Sequence, residues 1–110
     1  MTETDDALYE MVNLAPRLTG LPMTIWARPR GNERHDVRIK VNMAHGRSMD
    51  PSNLATVAVR PAPWLAGGYL SPADLRLVSD WIAANEAALI AYWDFAIDTD
   101  EFLARLVKLP

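Results

Sequence analysis

The residues best suited to chemistry lie in one run, residues 28–47. This run contains both histidines, His35 and His45, and six of the eleven lysine and arginine residues of the chain. Two imidazole groups could serve as general base and general acid in RNA cleavage, with arginine stabilising the charge on the reacting phosphate. The same residue types also occur on any solvated basic strand. His35 and His45 are therefore the catalytic candidates, but the sequence favours binding over catalysis.

A metal site would require the two histidines to converge with a carboxylate. Asp36 and Asp50 are available for a two-histidine, one-carboxylate site. The histidines are ten residues apart, however, and neither helical spacing nor an HExxH motif brings them together. The chain has no cysteine, which excludes thiolate-bound zinc, iron–sulfur clusters and disulfides within it. We expect neither a metal site nor a cofactor.

The same run is also suited to contacting nucleic acid. Arg38, Lys40 and Asn42 alternate along one strand face, and a two-stranded ribbon with such a face can enter a major groove. Trp26 is expected on the same face as Arg28, where it could stack on a base. Arginines in the flanking turns could contact phosphates. The predicted surface for nucleic acid or another partner consists of Arg28, Arg30, Arg34, Arg38, Lys40 and Arg47.

The distribution of charge along the chain favours acidic protein segments over nucleic acid as the groups that contact the basic face. Residues 1–16 carry a net charge of −4, residues 17–60 of +5 and residues 61–110 of −4, which sum to the −3 of the whole chain. An isoelectric point near 5.2 is far from that of a dedicated nucleic-acid binder. We therefore expect the basic face to be neutralised by the acidic N-terminal stretch, by the acidic helical region or by a neighbouring protein chain.

Length and composition indicate one globular domain. The chain has 110 residues, half of them hydrophobic, which is enough for one core and too little for two. The acidic N-terminus lacks the pattern of a signal peptide, and no apolar stretch is long enough to span a bilayer. We expect a cytoplasmic protein with no membrane partner.

The basic run must be positioned by a sheet. We expect residues 1–22 to form a tail or a short helix and residues 23–110 to form the domain. Alternation predicts strands at residues 23–28 and 35–43, paired as a hairpin across a Pro/Gly/Asn turn, and a third strand at residues 54–60. In the second strand, one face is predicted to be core: Val37, Ile39, Val41 and Met43.

Helices follow the strands. Ser71, Pro72 and Asp74 form a helix start, and the helix is expected to reach about residue 95, with a second helix from Asp98. Strands followed by helices predict an α+β fold, a small antiparallel sheet of about three strands packed against C-terminal helices. Most of the four tryptophans should be core, whereas Trp64 and Tyr69 could mark an oligomer or partner surface.

The segments Gly20-Leu-Pro-Met and Arg34-His-Asp-Val-Arg give the chain its family resemblance. The whole chain resembles a group of small bacterial proteins of unknown function. Residues 23–95 more loosely resemble a domain-of-unknown-function family linked to toxin–antitoxin loci. That family has several histidines before its central strand, whereas this chain has only His35 there. The resemblance implies no established catalytic residues.

Two functional hypotheses follow from the sequence. The first is a small accessory or regulatory protein that acts through protein–protein contacts, with another protein or with itself as a homo-oligomer. The alternative is a nucleic-acid-binding module or a small ribonuclease toxin that uses the basic strand at residues 34–47.

Overall fold

A computed structural model describes residues 11–46 and 50–110 of the chain. The elements in chain order are β1 (Val12–Leu14), α1 (Pro16–Thr19), β2 (Ile25–Ala27), β3 (Arg38–Asn42), β4 (Leu54–Ala58), β5 (Trp64–Gly67), α2 (Pro72–Trp93) and α3 (Thr99–Arg105).

The described strands form one antiparallel sheet in the order β1-β2-β3-β4-β5. This meander and the helices after it confirm the predicted α+β class and the predicted hairpin of β2 and β3. The sheet has five strands instead of about three, because β1 and β5 add one strand at each edge. Since β1 pairs Val12 with Ala27, the folded unit extends back to residue 12. The part of the expected N-terminal tail at residues 1–10 lies outside the described residues.

One face of the sheet packs against the helices. Ile39 and Val41 of β3 point into this core with Val57 of β4, as the alternation predicted. The helical layer contributes Trp81 and Trp93 of α2, both essentially buried at 0% and 2% exposure. Burying an aromatic side chain of this size contributes several kcal/mol, on the order of 3–5 lost on truncation to alanine. The sheet therefore has a fixed inner face.

The opposite face of the sheet, here called the outer face, has its own ordered rows. In one row Trp26 of β2 lies beside Lys40 of β3, which lies beside Thr56 of β4. In the next row Arg38 pairs with Ala58, which pairs with Trp64 of β5. Side chains of directly opposed residues project to the same face. The outer face is defined by these six residues.

Helix α2 has well-defined ends. The Ser71 hydroxyl accepts the Asp74 backbone N–H at 3.1 Å, and Pro72 occupies the first turn, as predicted. At the other end the Ala96 N–H donates to the Ala91 carbonyl at 2.8 Å, around Phe95 at φ +60°. This is a Schellman termination, in which glycine is the usual residue at the left-handed position.

The segment after α3 is attached to α2 through one buried amide. The side chain of Asn85 accepts the Val107 N–H at 2.7 Å and donates to the Val107 carbonyl at 3.0 Å. These bonds satisfy both backbone groups of Val107 and hold the segment against the helix. Within the described ranges, no helix is both long enough and apolar enough to cross a bilayer.

Candidate functional site

The outer face contains a depression of about 310 Å³ beside β2 and β3. It is lined by Met11, Trp26, Arg28, Glu33, His35, Arg38 and Lys40. Three residues of the predicted basic surface, Arg28, Arg38 and Lys40, line this depression together with His35 of the predicted catalytic pair. Trp26, the predicted stacking residue, also lines it. The strands supply one wall, and the loop of residues 28–37 that joins β2 to β3, here called the basic loop, supplies the other.

Lys40 lies in the centre of this arrangement. Its Nζ donates to the Thr56 hydroxyl on the neighbouring strand at 2.8 Å. Burial lowers the pKa of Lys40 below its ordinary value, and the nearby charge of Arg38 lowers it further, while Glu33 acts in the opposite direction. A half-buried ammonium group beside a second cation is unfavourable unless an anion approaches it.

Arg38 has an unusual environment for a guanidinium group. Its Nε is shielded from solvent, and no acceptor for this N–H lies among residues 11–46 and 50–110. No carboxylate in the same ranges forms an ion pair with Arg38 or Lys40. Buried donors in folded proteins almost always have acceptors, so an unsatisfied one is an exception that requires an explanation.

Glu33 is the acid that enters the depression. It accepts from Arg28 Nη1 at 2.7 Å through one carboxylate oxygen and lies 3.2 Å from His35 Nε2 through the other. The second ring nitrogen of His35, Nδ1, lies 2.9 Å from the Asp36 carbonyl. Both ring nitrogens of His35 thus have partners within the basic loop. This arrangement orients the ring within the loop.

His45 lies elsewhere. It follows the end of β3, whereas His35 precedes its start, and His45 Nε2 contacts the Asp74 carboxylate at the beginning of α2, at 2.8 Å from Oδ2. The structure does not bring the two histidines together for paired acid–base chemistry. In the described part of the chain, no three His, Cys, Asp or Glu side chains are grouped as metal ligands would be.

The remaining predicted residues have peripheral positions. Arg30 donates its backbone N–H to the Trp93 carbonyl at 2.9 Å, and its side chain is exposed. Arg34 is also exposed at the rim of the basic loop. Arg47 lies outside the described residues.

A second acid, Asp36, neutralises a cation outside the depression. Its carboxylate accepts from Nε and Nη2 of Arg60, both at 2.8 Å. This pairing and the Val37 backbone N–H lower the pKa of Asp36 to about 2. Among described residues, the acids that form direct ion pairs with the basic run are Glu33, from within that run, and Asp74 at the start of α2, whereas Asp36 pairs with Arg60 outside it.

Sequence reasoning missed Glu33 and Thr56 as members of this site. Glu33 follows the Pro/Gly/Asn turn and bears the only carboxylate between Arg28 and His35, which is a signal for an internal ion pair. Thr56 could be placed beside Lys40 only through the register of β3 and β4.

No protein-family model matches the chain, and neither a curated protein nor a solved structure matches it. The geometry of the site is therefore the basis on which a function is proposed.

Proposed function

We propose that the protein is a nucleic-acid-binding module that uses the outer face of its sheet. One observation carries the proposal: the shielded Arg38 Nε–H has no acceptor in the described chain and lies beside the half-buried Lys40 ammonium group in a depression. A phosphate bound in the depression would supply the missing negative charge, and the shielded N–H would gain an acceptor once the Arg38 side chain turns toward that phosphate.

The surroundings of the two cations suit a polyanion better than an isolated anion. Arg30 and Arg34 are exposed on the basic loop that forms one wall of the depression. Neighbouring phosphates of one strand can contact such rim cations while the central phosphate occupies the depression. The Arg30 side chain donates from Nε to the Glu33 carbonyl at 3.4 Å, a long bond, and both exposed side chains can adjust to the phosphates of the nucleic acid.

The proposed activity is binding without cleavage. Paired histidine chemistry needs a base and an acid on opposite sides of one phosphate. His35 uses both ring nitrogens within the basic loop, and His45 lies at the other end of β3. We therefore assign His35 to positioning the loop.

The test is the fluorescence anisotropy of short labelled RNA and DNA strands titrated with the full chain at increasing salt. Arg38→Gln and Lys40→Gln should each weaken binding by about tenfold and lower the log–log salt slope by about 0.7 per lost contact to a single strand. Arg76→Gln changes an exposed arginine on α2 and is the matched control that should leave binding unchanged. Undetectable binding of both nucleic acids at low salt would end the proposal.

A protein partner is a second proposal, which a separate observation favours. Tyr69 and Phe95 are 66% and 62% exposed, and Phe95 occupies a left-handed conformation that a bulky residue rarely adopts. Exposed aromatic residues are enriched at interfaces, and backbone strain is retained where it serves a function. Light scattering at high salt tests self-association, and a decrease in mass for Tyr69→Ser with Phe95→Ser would support it. A monomeric mass for the unmodified chain over a wide concentration range excludes a homo-oligomer.

A further inference from the structure

We infer that Trp64 is a stacking platform for an unpaired base, so that the ligand of the outer face is a single-stranded nucleic acid. This inference rests on the proposed function and adds the class of nucleic acid. Trp64 is 53% exposed on the outer face and belongs to the same row as Arg38.

The row fixes the distance between the two residues. Arg38 is opposite Ala58 and Ala58 is opposite Trp64, so exactly one strand separates them. Adjacent strands are about 4.8 Å apart, which places the backbones of Arg38 and Trp64 about 10 Å apart. Ala58 contributes only a methyl group between the guanidinium and the indole, and at 7% exposure this methyl group is covered by neighbouring side chains. One nucleotide can therefore span from its phosphate on Arg38 to its base on Trp64.

An exposed indole beside cations selects for unpaired bases. The bases of a duplex stack on each other and do not offer a free face, whereas a single strand can unstack one base onto an aromatic ring. Such stacking does not depend on the base sequence of the nucleic acid, because every base has an aromatic face. The other tryptophan of the outer face, Trp26, is 8% exposed and cannot offer the same surface.

Tryptophan fluorescence can measure stacking on Trp64 directly. Trp81 and Trp93 are buried, and Trp26 lines the depression with only 8% of its surface exposed, so Trp64 is the tryptophan on which a base can stack within the described structure. Binding of an unlabelled single strand should quench the tryptophan fluorescence of the full chain. Trp64→Phe should abolish this quenching but retain affinity within about threefold, because phenylalanine still stacks.

Affinity measurements complete the test. Trp64→Ala should weaken binding of a single strand by about tenfold or more and leave binding of the matched duplex unchanged. Val107→Ala shortens a hydrophobic side chain that is 54% exposed outside the row and should have no effect. Single strands of RNA and of DNA are both titrated, and the comparison shows which of the two nucleic acids the outer face binds more tightly.

The outcomes separate the two proposals. If single strands bind with a steep salt dependence but neither quench Trp64 nor respond to Trp64→Ala, the stacking inference is wrong and the basic face remains the binding site. If duplex binds at low salt but single strands do not, only the stacking inference is wrong. If neither single strands nor duplex bind, the stacking inference and the proposed nucleic-acid binding are both wrong. Circular dichroism of Trp64→Ala checks that this exposed position has not altered the fold.

Discussion

The imidazole of His35 stacks on the indole of Trp93, with 5.5 Å between the ring centroids and 28° between the ring planes. The Arg30 backbone N–H donates to the carbonyl of the same tryptophan at 2.9 Å. Two points of the basic loop are therefore attached to the last residue of α2. The loop that forms one wall of the depression is held in place before any ligand arrives, which lowers the ordering cost of binding.

The first prediction separates positioning by His35 from contact with the ligand. His35→Phe retains a ring for stacking on Trp93 and removes both nitrogens, so affinity for single strands should remain within about threefold. His35→Ala removes the stack, worth about 0.5–1.5 kcal/mol, and should lower both the melting temperature and the affinity. Thermal unfolding and anisotropy measure the two effects. Equal losses of affinity in both variants would show that the imidazole nitrogens contact the ligand.

The second prediction concerns the cost of the Lys40 ammonium group. Its pKa is lowered in the folded chain, so the charged form destabilises the fold at neutral pH, and this penalty disappears as the pH rises through the folded pKa towards the ordinary 10.5. Lys40→Met should therefore be between zero and about 1 kcal/mol more stable than the unmodified chain at pH 7, while binding nucleic acid more weakly.

Thermal unfolding from neutral to strongly alkaline pH measures this difference. The gap between Lys40→Met and the unmodified chain should narrow as Lys40 deprotonates. A variant that is more than about 1 kcal/mol less stable at neutral pH would instead assign Lys40 a structural role, through its hydrogen bond to Thr56.

The third prediction is an acid-dependent loss of stability at Asp36. Its folded pKa of about 2 is below the ordinary 3.8, so the pair with Arg60 stabilises the fold above about pH 4 and is lost as the pH falls towards 2. Both side chains are more than a third exposed, which limits the loss in Asp36→Asn at neutral pH to under about 1 kcal/mol.

Urea unfolding of Asp36→Asn, Arg60→Gln and the double variant measures the interaction. The double variant should lose no more stability than either single variant, because both remove the same pair. Additive losses, or an unchanged pH profile between 2 and 4 in Asp36→Asn, would contradict the assignment.

The fourth prediction is that the helix end carries removable strain. Phe95 has φ +60°, a conformation that costs a non-glycine residue about 1–2 kcal/mol. Phe95→Gly should be more stable than Phe95→Ala by about 1 kcal/mol, since both lack the ring and only alanine retains the strain. Thermal unfolding of the pair isolates the backbone contribution. Equal stability of the two variants would mean that the backbone rearranges there.

The sequence predicted the central hairpin because β-branched and basic residues alternate strictly along β3. The same alternation placed Arg38 and Lys40 on one face with Trp26. The edge strands were not predictable in this way, since β1 and β5 have three and four residues and a period of two cannot be recognised over so short a span. In β5 the register with β4 also shifts near Thr56, which interrupts the pattern.

The site was predictable in part for the same physical reason. Alternation determines which face a side chain occupies, but pairing between strands determines its neighbours. The hydrogen bond from Lys40 to Thr56 therefore needed the register. The separation of His35 from His45 could have been expected, because an extended strand rises about 3.3 Å per residue and lies between them.

The attachment of the basic loop to Trp93 also limits how the length of the chain can change during evolution. One residue inserted into α2 would rotate everything beyond it by about 100° and advance it by 1.5 Å. Trp93 would then present neither its ring to His35 nor its carbonyl to Arg30. Insertions and deletions in this helix are thus restricted by a loop more than fifty residues before Trp93. Homologues that keep the depression should keep the number of residues between the start of α2 and its terminal tryptophan.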